Sequence, residues 1–391
     1  MRAERWALAV AWLVPISLYV WVQQMPQPLL DEVVHAEQVE LFLAEGWAQH
    51  PRLTMVPGLH VLAAGLAKLT GTRSLVLLRG IGLVGALAFL LAGWTLARRL
   101  TPGRVAPRTL QLATLPLAAP LFPLFYTDVI GAALLLGAYV ATLRRRFVLA
   151  ALACASMVLV RHSLAGFVVW LALVGVSETP RRWRSVLPLA APLALFGALL
   201  LAMGGATFGD HEFHPEGLSA GNLPFAVTIG IVLFLPSHLL ALPKVWALLR
   251  DRPELAAVLI AVGACLAVGA TADHPFNARD IDYTLYNRWV EWLFDTATGR
   301  GVLFAASVWA PLSFATFGWR ASCFPFLFAL FAIRMASSWL VEPRYALPFA
   351  ALVLVAREEE PPWLEWSSVP LYGLATVWLF SGAVSGQWFP L

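Results

Sequence analysis

The stretch WALAVAWLVPISLYVWV, residues 6–22, decides the class of fold. Runs of roughly 17 to 25 apolar residues predict helices that span a bilayer, and comparable runs recur along the whole chain, of which 60% is hydrophobic and only 13% charged. This predicts an all-α polytopic membrane protein with about 11–13 transmembrane helices. No small-residue cleavage site follows the first run, so we interpret it as a retained span. The other runs lie approximately at 75–97, 109–125, 127–143, 147–160, 163–176, 186–203, 223–249, 254–271, 301–317, 322–341, 345–356 and 367–384.

Arginine clusters predict the topology. Because they fall in alternate loops, the positive-inside rule places all of them on the cytoplasmic face. The apolar segment 54–70 would reverse this order if it spanned, so we interpret it as part of an outer loop. The net charge of +4 is modest and clustered, which indicates topology and not nucleic-acid binding. The clusters are Arg2/Arg5, Arg98/Arg99/Arg104/Arg108, Arg144–Arg146, Arg181/Arg182/Arg184, Arg250/Arg252 and Arg320.

The remaining loops fall on the extracytoplasmic side and carry nearly all other polar residues. We predict a single integral membrane domain, 1–391, with a large first extracytoplasmic loop at 23–74 and a second polar loop at 272–300. The three cysteines lie in apolar runs without metal-ligand spacing, which is typical of small core residues. No metal site is predicted from them.

The stretch QPLLDEVVHAEQVELFLAEGW, residues 27–47, concentrates acidic residues directly after the first span. Asp31 or Glu32 could act as a general base that removes a proton from an attacking hydroxyl. The alternative is a solvated acidic loop, because both carboxylates would stand at the N-terminus of an amphipathic interfacial helix, where the helix dipole favours them.

Ionisable residues also stand at the outer ends of later runs. Asp128 in FYTDVIG is either a helix cap or a binding residue. Arg161, in VLVRHSLAG, and Arg344, in EPRYALPF, suit a lipid phosphate, because a guanidinium offers a planar fork of donors. The alternatives are a short outer turn at Arg161 and a structural ion pair between Glu342 and Arg344.

Two further outer loops are rich in polar side chains. FGDHEFH, residues 208–214, contains Asp210 and His214; it could bind a metal, but loop histidines more often form hydrogen bonds. The stretch DHPFNARDIDYTLYNRW, 273–289, combines aromatic, amide and carboxylate side chains, which suits carbohydrate. An interfacial aromatic belt would explain its tyrosines and tryptophan, but not its arginines and aspartates.

Six of these strings, in order, resemble the GT-C class of glycosyltransferases, and most closely the dolichyl-phosphate-glucose-dependent α-1,2-glucosyltransferase family, which adds the terminal glucose to the lipid-linked N-glycan precursor. They run from residue 31 to about 349. Two strings depart from the family pattern: RDIDYT stands where an Asn-Arg-His normally precedes the Tyr-Thr, and His162-Ser163 stands for Gln-Thr. The composition suggests a compact bacterial relative. The strings are DEVVHAEQ, VPGLH, FYTDVIG, FGDHEFH, HPFNARDIDYTLYNRW and EPRYALPF.

The resemblance implies an inverting transfer of glucose from dolichyl- or undecaprenyl-phosphate-glucose to a glycan acceptor, on the extracytoplasmic face of a bacterial inner membrane or, in a eukaryote, of the endoplasmic reticulum. Asp31 or Glu32 would be the base, and Arg344, Arg161 and Arg288 would hold the phosphate. No metal or cofactor is required, because an arginine can hold the leaving monophosphate. The implied partners are the lipid-linked donor, the glycan acceptor and membrane lipid. The sugar or acceptor site would take His35, Asp128, Asp210, His214, His274, Asp282, Tyr283, Tyr286, Glu342 and Tyr345.

Three alternatives remain open. A flippase or transporter for lipid-linked sugars would also have many spans, but it typically shows internal repeats with polar groups at the midplane. A non-catalytic assembly partner would need no carboxylate base. A GT-C transferase for a different sugar or acceptor would share the same strings.

Overall fold

The structure is a computed structural model and describes residues 2–29, 31–205, 207, 217–274, 277, 285–320 and 324–385. Regular structure in these ranges consists of α-helices with short 3-10 turns, which confirms the all-α prediction. The helices are α1 (Arg2–Val22), α2 (Asp31–Glu45), α3 (Gly58–Thr70), α4 (Leu75–Leu100), α5 (Val105–Ala113), α6 (Thr127–Leu143), α7 (Phe147–Val160), α8 (Gly166–Glu178), α9 (Ala190–Met203), α10 (Asn222–Leu233), α11 (Leu235–Leu240), α12 (Leu242–Asp251), α13 (Pro253–Val268), α14 (Leu285–Asp295), α15 (Ala297–Thr316), α16 (Phe324–Ala336), α17 (Leu347–Ala356) and α18 (Pro362–Val384).

Several helical stretches suit a membrane. Four are long and apolar enough to cross one: Ala3–Val22, Leu75–Leu100, Pro180–Met203 and Pro362–Val384. Other apolar helices in the described part of the chain, among them α6 and α7, are shorter. The chain is therefore a multi-pass membrane protein, and the larger count of about 11–13 spans stays a prediction.

Three long helices define the two ends of the molecule. Helices α1 and α4 are antiparallel, because Trp94 donates to the Glu4 carbonyl at one end while the Tyr19 hydroxyl donates to the Val76 carbonyl at the other. Helices α4 and α6 are parallel, since Arg99 near the end of α4 donates to the carbonyl of Leu143, the last residue of α6, at 2.9 Å.

Acidic and basic loops consequently lie at opposite ends of α4 and α6. We call them the acidic end, which holds Asp31, Glu32 and Asp128, and the arginine end, which holds Arg98, Arg99 and Arg144. Helix α6 has 17 residues, so these ends are about 25 Å apart along its axis.

A broken segment, not one helix, returns the chain from the arginine end to the acidic end. The single span predicted at 109–125 is wrong: α5 ends at Ala113, and turns with a 3-10 segment at Ala119–Leu121 continue to Tyr126. Pro116, Pro120 and Pro123 lack the amide hydrogens that a helix needs. Irregular backbone is tolerated at membrane depth when it is buried in protein, and residues 117–129 are all buried.

Glycine allows this broken segment to approach α4 closely. A Cβ atom on Gly82 would lie 2.1 Å from the Leu124 carbonyl oxygen, so no larger residue fits there without a shift of the backbone. Prolines also divide the run predicted at 223–249, which forms α10, α11 and α12, with Pro236 and Pro243 in the first turns of the last two.

A buried ionic network closes the arginine end. Arg108 and Glu365 are both inaccessible to solvent, and Nε and Nη2 of Arg108 donate to Oε1 of Glu365 at 3.2 and 2.8 Å. Arg357 donates to the other carboxylate oxygen at 3.1 Å, and the Gln111 side chain donates to the Glu365 carbonyl. The network joins α5 to α18, which are about 250 residues apart in sequence.

Candidate active site

Asp31 begins α2 at the acidic end and forms an ion pair with Arg344. Its Oδ2 lies 2.6 Å from Nη2 of Arg344, and its side chain is 49% exposed while that of Arg344 is 11% exposed. Glu342 accepts two hydrogen bonds from the same guanidinium, one of them from Nη2 to Oε1 at 2.7 Å. One arginine therefore holds two carboxylates, of which only Asp31 is open to solvent.

Glu32, the next residue, has a different environment. It is fully buried and pairs with Arg79 of α4, whose Nη2 donates to Oε2 at 2.9 Å. The backbone amides of Leu29 and Phe125 also donate to this carboxylate, both at 3.1 Å. Arg79 in turn donates to three carbonyls between residues 22 and 27. Glu32 thus fixes α2 to the end of α1, to α4 and to the broken segment.

The loop that carries Arg344 is positioned by two asparagines. Asn222, at the start of α10, donates to the Ser338 carbonyl and accepts a hydrogen bond from the Glu342 amide. The Asn277 side chain forms two hydrogen bonds with the backbone of Val341. Burial raises the pKa of Glu342 above its ordinary value, and Arg344 offsets this effect only in part. The loop is held rigidly beside Asp31.

Asp128 and Arg161 form a second buried ion pair next to the first. Nη1 of Arg161 donates to Oδ2 of Asp128 at 2.8 Å and to the Thr127 hydroxyl at 2.9 Å. The guanidinium carbon of Arg161 lies 5.7 Å from the ring centroid of Tyr345, and that of Arg334 lies 5.5 Å from the same ring. Tyr345 therefore stands between two arginines.

A histidine pair joins α2 to α3 beneath Asp31. Nδ1 of His35 lies 2.9 Å from Nε2 of His60, and both rings are buried. Burial lowers the pKa of His35 to about 4, and Arg344 and Arg161 lower it further while Asp31 and Asp128 oppose them. The His35 ring also packs edge-on against Tyr126. The pair is neutral near pH 7 and orients the helix that carries Asp31.

The structure brings together eight of the residues predicted from the sequence. These are Asp31, Glu32, His35, Asp128, Arg161, Glu342, Arg344 and Tyr345. His274 is buried against Trp339, and Arg288 is exposed on α14. Asp210, His214, Asp282 and Tyr283 lie outside the described residues, and of Tyr286 only its place in α14 is described.

Several residues of this site were absent from the prediction, chiefly Arg79, Arg334, Asn222 and Tyr126. Arg79 and Arg334 stand inside the apolar runs 75–97 and 322–341. An ionisable residue at membrane depth is costly and marks function or a buried partner, so each could have been found on that ground. Asn222 carried no such signal, because an asparagine beside a helix start is common in any loop.

Chemically, the site offers one accessible carboxylate beside several buried guanidinium groups. Such an arrangement can take a proton from a hydroxyl and hold an anionic leaving group. Within the described residues no group of three histidine, cysteine or acidic side chains has the spacing of a metal site. The prediction that no metal or cofactor is required stays a prediction.

A comparison with known protein families agrees with the resemblance seen in the sequence. The model of the DIE2/ALG10 family matches residues 25–185, which include Asp31, Asp128 and Arg161. No curated relative matches the chain. Among solved structures, ArnT from Cupriavidus metallidurans in the apo state is similar at 16% sequence identity and a TM-score of 0.45, over 86% of this chain and 78% of that one. The family match confirms the resemblance over the segment that it covers.

Proposed function

The chain is a glycosyltransferase similar to the DIE2/ALG10 family, and we propose that it transfers glucose from a polyprenyl-phosphate-glucose to a glycan hydroxyl in a single inverting step. The observation that carries the proposal is the accessible carboxylate of Asp31, held 2.6 Å from the buried guanidinium of Arg344. A base and a phosphate-binding group are thus adjacent, as the reaction requires.

Asp31 is the general base in this proposal. Its carboxylate accepts the proton of the acceptor hydroxyl while the hydroxyl oxygen bonds to the anomeric carbon. The bond from that carbon to the phosphate oxygen breaks, and polyprenyl phosphate leaves. Displacement of a β-linked carrier in this way gives an α-linked product. Glu32 is unsuited to the role, because Arg79 and two backbone amides already occupy its oxygens.

Arg344 links donor binding to the base. In the structure its Nη2 group contacts Asp31, and a carboxylate in an ion pair is a weaker base. A phosphate oxygen that takes this donor would release Asp31, while Glu342 still holds Arg344 from the other side. The donor would therefore bind before the acceptor. Arg161 would add positive charge near the phosphate, and Arg288, on α14, remains a candidate for the same role.

The sugar and acceptor are assigned by resemblance. His35, Asp128, Glu342 and Tyr345 lie at or under the site, and we propose that they orient the sugar together with His274. Asp210, His214, Asp282, Tyr283 and Tyr286 remain candidates for the same task.

The test is transfer of radiolabelled glucose from synthetic polyprenyl-phosphate-glucose to a glucose-ended acceptor by the purified protein. We expect product from the wild type and none above background from Asp31→Asn. A protein that binds donor but transfers nothing to any of a panel of glycan acceptors would favour the flippase alternative, which an assay of transbilayer movement then measures directly.

The predicted membrane face has its own test. In a background without native cysteines, Glu37→Cys should react with an impermeant maleimide from the extracytoplasmic side. Arg145→Cys, at the arginine end, should react only after the membrane is permeabilised. The opposite pattern would place the site on the cytoplasmic face.

A further inference from the structure

Arg334 of α16 is a buried arginine that contacts no carboxylate in the part of the chain that the structure describes. Its side chain is only 9% exposed. Its Nε donates to the Ser163 carbonyl at 3.3 Å, and its Nη1 donates to the Tyr345 carbonyl at 2.5 Å. Among the described residues no carboxylate forms an ion pair with it, whereas Arg161 has one such partner and Arg344 has two.

Such a residue is unusual on energetic grounds. Removing an arginine from water is costly unless its charge is paired and its donors are satisfied. The two carbonyls account for two of its five N–H groups, and its Nη2 donates to none of the described residues. A purely structural clamp would explain the two carbonyl contacts, but a neutral glutamine could serve there without a buried charge.

The position of Arg334 suggests what its charge serves. Its guanidinium carbon lies over the ring of Tyr345, which the guanidinium of Arg161 approaches at a similar distance. The residue that precedes Tyr345 in the chain is Arg344, which contacts Asp31. Arg161 is neutralised by Asp128, and Arg344 by Glu342 and Asp31. Arg334 is therefore the one of these three arginines that has no carboxylate in contact with it among the described residues.

We propose that Arg334 binds the phosphate of the departing lipid carrier. The inference rests on the proposed function and adds a residue to it. The donor is a phosphodiester with one negative charge, and breakage of the bond to the sugar leaves a phosphate monoester that approaches two. A third arginine supplies the positive charge that this second negative charge requires. Arg334 should therefore favour the leaving phosphate over the intact donor.

The experiment compares the binding of a short-chain polyprenyl phosphate with that of the matching uncharged polyprenol, by microscale thermophoresis on the purified full-length protein. The ratio of the two affinities isolates the phosphate from the tail. We expect Arg334→Gln to lower this ratio about tenfold or more, since a charge-assisted hydrogen bond is lost. Arg334→Lys, which keeps the charge without the fork, should lower it less. Arg73→Gln, which removes an arginine that is 63% exposed, should leave it unchanged.

The outcomes separate a phosphate site from a structural role. An unchanged ratio in Arg334→Gln would overturn the proposal, and so would equal losses of affinity for both lipids, because a displaced Tyr345 would weaken both alike. If Arg334→Gln does not fold, Arg334→Lys provides the test: we expect the ratio of the two affinities to fall several-fold, and an unchanged ratio would overturn the proposal. If no glucose is transferred, the proposed function is contradicted but the role of Arg334 in phosphate binding is not, because the binding assay requires neither sugar nor acceptor.

Discussion

Replacement of each of the two adjacent carboxylates of α2 by its amide should affect different properties: turnover for Asp31 and stability for Glu32. Asp31→Asn removes the proposed base while the amide keeps the size of the side chain. Loss of a general base costs about 10²- to 10⁴-fold in turnover. Because Asp31 is half exposed, its ion pair with Arg344 contributes at most about 1 kcal/mol. Its removal should thus leave the melting temperature nearly unchanged.

Donor affinity sharpens the prediction. If the phosphate competes with Asp31 for Arg344, Asp31→Asn frees that arginine in advance. In the variant the phosphate no longer has to break the ion pair between Asp31 and Arg344. The ~1 kcal/mol that this step costs in the wild type corresponds to an increase of up to about fivefold in donor affinity. Glu32→Gln should instead unfold the protein more readily, since it leaves Arg79 buried with a weakened partner at a cost of about 3–5 kcal/mol.

The assays are glucose transfer at saturating donor, donor binding, and thermal unfolding in detergent. Glu40→Gln is the matched control: it removes an acidic residue from the same helix, where Glu40 is exposed beside Arg73, and should keep turnover within about twofold. Turnover of Asp31→Asn close to that of the wild type would refute the assignment of the base. A donor affinity that falls with turnover would refute the competition for Arg344.

Three further predictions concern the framework and its response to pH. Gly82→Ala should lower the melting temperature, because its Cβ would meet the Leu124 carbonyl at 2.1 Å, whereas Gly80→Ala on the same helix meets only a distant side-chain atom at 3.9 Å and should gain stability slightly; equal melting temperatures would contradict the close approach. Glu365→Gln should destabilise the protein by about 3–5 kcal/mol in thermal unfolding, while Asp251→Asn, in an exposed pair, should stay within about 0.5 kcal/mol. Burial lowers the pKa of His35 to about 4 in the folded protein, whereas it is about 6.5 in the unfolded chain. The contribution of neutral His35 to the free energy of unfolding is therefore complete above pH 6.5 and is lost as the pH falls towards 4. His35→Gln should show a shallower loss of stability between these pH values.

Helix bounds were predicted most accurately for apolar runs without prolines. The runs at 127–143 and 147–160 match α6 and α7 residue for residue, and 75–97 is three residues short of the end of α4. The prediction of a single span at 109–125 was wrong because the segment is apolar enough to span, but its three prolines break the helix. A proline-rich apolar segment is stable at membrane depth only when other helices surround it, and a single sequence does not display that environment.

The composition of the site was predictable to a similar extent. Polar residues at the outer ends of spans must share one face, and Asp128, Arg161 and Arg344 do converge on Asp31. The different roles of Asp31 and Glu32 could not be predicted from the sequence. Adjacent residues on a helix point about 100° apart, and Arg79, the partner of Glu32, comes from a different helix.

The broken segment also bears on the order in which the chain can fold. Its contacts at the arginine end are with α18, through Gln111 and Glu365, and Thr376 donates to the Thr114 carbonyl. These partners are synthesised more than 250 residues later. The irregular backbone of the broken segment therefore stays uncovered until α18 has been synthesised. Contacts between segments so far apart in sequence form slowly. A chain truncated before α17 should be held by chaperones or degraded, even though residues 25–185 and most of the proposed site are already in the membrane.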